Sequence, residues 1–153
     1  MNKYRKGVGI FLINSEKKLW VGKRIDLRSR YWQMPQGGID KNETPLKAMR
    51  RELFEEIGID KNYTVIEESK KWFQYELPEN LIGIIWKGKY LGQKQKWFAC
   101  RFHGNDKDIN LNLHVPEFSE WKWVNPPESI DLVVPFKKKL YEEILENFKE
   151  LYH

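Results

Sequence analysis

The chain is 153 residues long, with 41% hydrophobic, 32% charged and 14% aromatic residues. That is the size of one domain able to bury roughly two thirds of its unfolded surface, and its apolar content excludes a disordered or low-complexity chain. The longest apolar runs, Val8–Ile13 and Leu81–Trp86, reach only six residues, against the ~18–20 a membrane helix needs. A basic start meets a short apolar stretch in Met1–Ile13, but with no small-residue cleavage site it reads as a strand and turn, not a signal peptide. The single cysteine, Cys100, cannot form an intrachain disulfide. The expectation is one domain over residues 1–153, in the cytoplasm, with no membrane span and no obligate protein partner.

The formal charge is +5, unevenly spread. Residues 1–30 carry nine basic side chains against Glu16 and Asp26, and residues 81–105 carry five basic and no acidic ones. Such blocks attract a polyanion, a phosphate chain or RNA, but scattered surface lysines also simply keep a protein soluble.

In chain order, Gly7–Asn14 and Leu19–Arg24 predict a hairpin around the turn Asn14–Lys18. Ile25–Ile39 is a long connection whose Pro35 and paired Gly37-Gly38 mark special backbone geometry. The next helix is signalled at both ends, with Thr44 suited to the N-cap, Pro45 to the first helical position and Gly58 to the position past the end. Val65–Ser69, Trp72–Glu76, Lys94–His103 and Ser119–Val124 predict strands, Pro126-Pro127 a break, and Phe136–Leu151 an amphipathic helix. Strands interleaved with two helices predict a mixed α/β domain.

On the helix Pro45–Ile57, Leu46, Met49, Leu53 and Ile57 fall within roughly 80° of one another and predict the buried stripe. Glu52, Glu55 and Glu56 occupy an adjoining arc of about 100°, with Lys47, Arg50 and Arg51 mostly on the remaining side. Arg51 can pair with Glu55 one turn later, whereas Glu52 and Glu56 face each other as like charges. Three carboxylates against a core stripe, after a glycine-rich turn and with no His or Cys nearby, suit a hard cation such as Mg²⁺ or Mn²⁺.

The spacing is recognisable. Gly37, five residues, Glu43, seven residues and then Arg51-Glu52-Leu53-Phe54-Glu55-Glu56-Ile57-Gly58-Ile59 matches every fixed position of the Nudix box. The resemblance implies an α/β/α sandwich with a mixed β-sheet and a loop–helix–loop catalytic motif. The activity it implies is hydrolysis of nucleoside diphosphates linked to another moiety. By the same resemblance Glu52, Glu55 and Glu56 bind divalent cations, Arg51 and Glu43 orient those carboxylates, and Gly37 and Gly58 shape the flanking loops. Trp32–Gly38, Gly92–Phe98, Pro116–Phe118 and Trp121–Val124 are similar to one bacterial subfamily that acts on dinucleoside polyphosphates or on the 5′ end of RNA. This likeness implies that Glu117 is a further metal ligand or the general base; the segment Glu79–Gly92 follows the subfamily pattern less well.

Gly83–Lys89 imitates the start of a phosphate-binding P-loop, but Tyr90 stands where Ser or Thr must ligate Mg²⁺. His103, His114 and His153 lack metal-ligand spacing, and Cys100 reads as a packed strand residue. Phe136, with Val134 and neighbouring lysines, either sandwiches a base or staples the last helix. The resulting expectation is a metal-dependent pyrophosphohydrolase acting on a polyphosphate carried by a nucleoside or by an RNA 5′ end. Glu52, Glu56, Glu117 and Arg51 would act at the reacting phosphates, and Arg5, Lys6, Lys23 and Lys94 would be the cations that meet them. Two alternatives use the same scaffold: an enzyme that clears damaged nucleoside triphosphates, and a non-catalytic RNA-binding module.

Overall fold

β1 (Tyr4–Ile13) and β2 (Leu19–Arg24) leave a turn in which Asn14 Oδ1 accepts from the backbone N–H groups of Glu16 and Lys18, both at 3.0 Å. The computed structural model describes residues 3–25 and 30–153; residues 26–29, within the long connection, lie outside the described residues. After β2 come β3 (Trp32–Gln33), β4 (Gln36–Gly38), α1 (Pro45–Ile57), β5 (Tyr63–Glu68) and β6 (Phe73–Glu76). They are followed by β7 (Gly92–Phe102), β8 (Phe118–Val124), α2 (Glu128–Leu132) and α3 (Lys138–Asn147). β1 and β7 run parallel from Tyr4↔Gly92 to Ile13↔Arg101, and every other pairing is antiparallel, so the sheet is mixed.

Both faces of the sheet are buried, because alternate side chains on one strand point to opposite sides. Phe11 and Ile13 join Leu140, Tyr141 and Ile144 of α3 and Phe148 just past its end, whereas Val8, Ile10 and Leu12 join Ala48, Met49, Leu53 and Ile57 of α1. Helix, sheet and helix form the expected α/β/α sandwich.

What positions the site is a split in this sheet. β1 and β2 are in register only at Ile13↔Leu19 and then diverge. β1 continues onto β4 (Gly7↔Gly38, Val8↔Gly37, Gly9↔Gln36) and β2 onto β3 (Gly22↔Gln33). The segment Trp32–Gly38, expected as part of a long connection with special backbone geometry, therefore fills the wedge with two short strands. Ile10 N donates to Pro35 O at 2.9 Å, and Met34 N donates to the buried Tyr141 hydroxyl at 2.8 Å, tying the segment to β1 and α3.

α1 begins and ends as its caps predict: Thr44 Oγ1 accepts from Lys47 N at 3.2 Å, and Gly58 takes φ 76°. Its buried face is rotated from the expected stripe. Leu46, in the first turn, is 40% exposed, and the buried residues are Ala48, Met49, Leu53, Ile57 and Glu56. The last element divides as well, into a 3₁₀ turn at Pro135–Lys137, α3, and a second 3₁₀ turn at Lys149–Leu151. Within Gly83–Lys89 only Ile85–Gly88 forms a 3₁₀ turn, not the helix a P-loop requires. No helix among the described residues is long and apolar enough to cross a membrane.

Candidate active site

A cavity of about 520 Å³ opens at the wedge, in the range typical of small-molecule sites. Its acidic wall is Glu52 and Glu56 from α1 and Glu117 from the residue before β8; its basic side is Arg5, Arg24 and Lys137; Val134, Phe136, Leu81 and Trp86 close it with apolar surface.

The acidic wall is held by Arg51. Its guanidinium forks onto Glu43 (Nε to Oε2 2.8 Å, Nη2 to Oε1 3.0 Å), donates to Gly38 O at 2.9 Å, and donates to Glu52 Oε1 at 2.7 Å. Glu43 is itself fixed by the Asp40 N–H at 2.8 Å. The Arg51 bonds hold the Glu43 carboxyl below the usual range and push the Arg51 guanidinium the opposite way. Glu52 also lies over Gly37, so closely that a Cβ there would overlap its carboxyl group. The glycine is required by this approach of helix side chain to strand backbone. Burial raises the Glu52 carboxyl despite Arg51, whose hydrogen bond and charge oppose the shift without offsetting it.

Glu56 is the extreme member, 5% exposed. Burial, then the charges of Glu52 and Glu117, raise its carboxyl well above the ordinary range, against a weaker pull from Arg24 and the Gln36 N–H. Its Oε2 is buried and has no hydrogen-bond partner among the described residues. Such an orphaned oxygen under the repulsion of two other carboxylates is unfavourable unless a ligand completes it. An all-oxygen donor set fits a hard divalent cation. Among the described residues no group of three His, Cys, Asp or Glu side chains converges into a closed ligand set, so these donors stand apart around the cavity. Glu55 does not line the cavity: it lies 3.5 Å from Arg51 Nη1, the pairing its spacing predicted.

Of the expected phosphate-binding cations, the structure brings only Arg5 to the cavity. Lys6 and Lys94 are register partners on the other face of the β1–β7 ladder, and Lys6 lies 5.8 Å from the centre of the Trp72 ring. Lys23 pairs with Glu120 at 3.7 Å. Strand parity explains the placement of Lys6 and Lys94. Gln93 and Gln95 point to the cavity side, where Gln95 Nε2 donates to Gln36 Oε1 at 2.9 Å and Tyr75 donates to Gln93 Oε1 at 2.9 Å. The intervening Lys94 must then face away. Phe136 and Val134 both line the cavity, with the Phe136 ring centre 6.0 Å from that of Tyr75. Both also pack against the α3-side core, so their apolar faces are shared between cavity and core.

Sequence reasoning missed Arg24, Tyr75 and Trp86. Arg24 reaches the cavity through a register shift between β2 and β8 at Lys23/Arg24, a bulge that re-aims the side chain and brings its Nη2 to 4.0 Å from Glu117. No signal in the linear sequence marks that shift. His103 bonds Thr64 at 2.7 Å and Cys100 is buried with its thiol pushed up to about 12, so neither joins the site.

A mixed sheet between helices, with a carboxylate-bearing helix facing a strand glycine over an anion-lined cavity, defines a Nudix-type hydrolase. Residues 3–144 match the NUDIX domain, and the chain belongs to that family. Enzymes of this family generally need divalent metal cations. The chain is 49% identical to the RNA pyrophosphohydrolase of Rickettsia canadensis over 148 residues, 97% of this chain and 91% of that protein. It is 48% identical, with the same coverage, to the RNA pyrophosphohydrolase of Rickettsia prowazekii. Among solved structures it resembles the Escherichia coli dihydroneopterin triphosphate pyrophosphohydrolase (TM-score 0.73, 21% identity, 95% of this chain and 99% of that one). It also resembles a Caenorhabditis elegans Ap4A hydrolase (TM-score 0.66, 17% identity, 94% and 98%). At these identities the structural likeness speaks for the fold.

Proposed function

We propose that the protein removes pyrophosphate from the 5′-triphosphate end of RNA, leaving a 5′-monophosphate, and that dinucleoside polyphosphates are alternative substrates of the same site. The reading also keeps it in the cytoplasm, where RNA 5′ ends are made. The observation that carries it is the buried Glu56 Oε2, without a hydrogen-bond partner among the described residues, sharing one cavity with Glu52 and Glu117 and with the basic side chains of Arg5, Arg24 and Lys137. One wall thus suits cations, the other suits phosphates, and Phe136 with Val134 offers an apolar surface to a base. The relatives named RNA pyrophosphohydrolase support the RNA assignment.

Glu52, Glu56 and Glu117 would hold the metal, Mg²⁺ or Mn²⁺. When bound, the cation neutralises phosphate charge and acidifies water. Arg51 keeps one Glu52 oxygen engaged, fixing the direction of the carboxyl. Glu56, whose Oε2 is buried in the cavity wall without a hydrogen-bond partner among the described residues, is the carboxylate we assign to accept a proton from the attacking water. Arg24 would take up charge as it develops on the leaving pyrophosphate, and Arg5 would bind the terminal phosphates equally before and during the reaction. Glu55 acts in this reading through Arg51, on the flank of the site.

The test is Mg²⁺-dependent product analysis on triphosphorylated RNA, dinucleoside polyphosphates and free nucleoside triphosphates at equal concentration, with Glu56→Gln as control. Pyrophosphate release from RNA that falls by orders of magnitude in the variant is the expected result. Preference for free triphosphates would favour the nucleotide-clearing alternative, and RNA binding without pyrophosphate release the non-catalytic one.

A further inference from the structure

Arg5 is the one sequence-expected phosphate cation that reaches the cavity, and its surroundings are unusual. Its guanidinium carbon lies over the Trp86 ring, 5.3 Å from the centroid. Gly38 approaches the same guanidinium so closely that a Cβ there would overlap Nη2. Among the described residues no carboxylate pairs with it, although Glu52, Glu56 and Glu117 line the same cavity. A half-buried cation is thus held by an aromatic ring and a bare backbone, and its N–H donors are left for an anion that the protein itself does not supply.

The ring is put there by an unfavourable backbone. Trp86 (φ 55°, ψ 38°) and Lys87 (φ 58°, ψ 27°) are consecutive non-glycine residues in the left-handed region. L-residues avoid that region, and such strain survives only where the surroundings impose it. Here Leu81 and Ile85 anchor the segment on the α3-side core, and Tyr90 meets the indole edge-on with ring centres 6.1 Å apart.

We infer that Trp86 is a positioning residue that holds Arg5 in place to receive the terminal phosphates of the substrate. The inference rests on the pyrophosphohydrolase reading above. Trp86 acts through Arg5: its ring stabilises the cation in the cavity while the N–H fork stays free to bind phosphate oxygens. Removing the ring lets the guanidinium swing into solvent or toward the carboxylates, and substrate affinity falls while the reacting groups remain in place.

The test combines calorimetric binding of inorganic pyrophosphate in Mg²⁺ with steady-state turnover of a short 5′-triphosphorylated RNA. The proteins compared are the parent, Trp86→Ala, Trp86→Phe, Arg5→Ala and the double variant Arg5→Ala/Trp86→Ala. The loss of a cation–ring contact predicts pyrophosphate binding roughly 3- to 30-fold weaker in Trp86→Ala, with KM raised to match. kcat should stay within about twofold of the parent. Trp86→Phe should keep most of the affinity, and the double variant should bind no more weakly than Arg5→Ala alone. Additive losses, equal losses in the Phe and Ala variants, or a fall in kcat at unchanged KM would each overturn the inference. A parent protein that leaves RNA untouched would refute the substrate assignment instead, and pyrophosphate binding would still report whether Arg5 and Trp86 are coupled.

Discussion

Replacing Glu56 with Gln should abolish turnover and at the same time stabilise the metal-free protein, by an amount that grows with pH. Burial and two neighbouring carboxylates raise the Glu56 carboxyl above its ordinary value of 4.5, so the folded protein retains a proton there that the unfolded chain releases. The stabilising contribution is complete below 4.5 and is lost as pH rises through the folded value. Gln is close in shape to the protonated acid, keeps an acceptor for the Gln36 N–H and has no proton to lose. In EDTA the two stability curves should therefore meet in acid and separate as pH rises, with a slope of at most about 1.4 kcal/mol per pH unit for one proton. At that limiting slope two pH units amount to about 3 kcal/mol, well within reach of urea denaturation followed by tryptophan fluorescence. Adding Mg²⁺ should raise the parent curve and leave the variant curve nearly unchanged, because the cation compensates the charge that Gln lacks. Parallel curves in EDTA from about pH 5 to pH 8 would refute the claim that Glu56 is a carboxylate buried without a partner.

Arg51→Lys removes the fork that joins Glu43, Gly38 O and Glu52; with Arg51 only 26% exposed, urea denaturation should show a loss of about 1–3 kcal/mol, and turnover should fall at least about tenfold. Gly37→Ala drives a Cβ into the Glu52 carboxyl, so Mg²⁺ titrations of turnover should shift to higher concentration and the maximal rate should fall at least about tenfold, with the circular dichroism of the sheet retained. Phe136→Ala should raise KM for triphosphorylated RNA severalfold, whereas Lys94→Ala, on the opposite face of β7, should leave kcat/KM close to the parent value.

The catalytic helix was legible because its signals are local. Thr44, Pro45 and Gly58 mark its ends, and the glutamates fall at i, i+3 and i+4. What a helical projection does not contain is the azimuth at which the helix docks. The structure rotates Leu46 out and Glu56 into the buried face, so the carboxylate assigned to the margin of the core lies inside it. The same limit applies to the strands. A run such as Gln93-Lys94-Gln95-Lys96 fixes that lysines and glutamines face opposite ways, but which side holds the site depends on the pairing of β7 with β1, to which residues far apart in sequence contribute. Lys6 and Lys94 were expected at the site for their charge and are excluded from its lining by that parity. Arg24 depends on a bulge and Trp86 on two left-handed residues, features that arise from tertiary packing with no local sequence code.

The divergence of β1 and β2 explains why so much polar strain gathers in one place without unfolding the domain. A hairpin paired along its length would leave no gap between Arg5 on one strand and Arg24 on the next. By separating after Ile13↔Leu19, the two strands expose edges that Gln33 and Gln36–Gly38 then satisfy, and the filling segment brings Gly37 and Gly38 beneath the carboxylates. Gly38 serves both sides of the cavity at once: its carbonyl accepts from Arg51, which orders the acidic wall, and its bare Cα leaves room for Arg5 on the basic one. Cation-holding and phosphate-holding groups are therefore referenced to the same two residues of backbone. A shift of that backbone would disturb both walls together, and the ties of Pro35 to Ile10 and of Met34 to Tyr141 hold it against the two halves of the core.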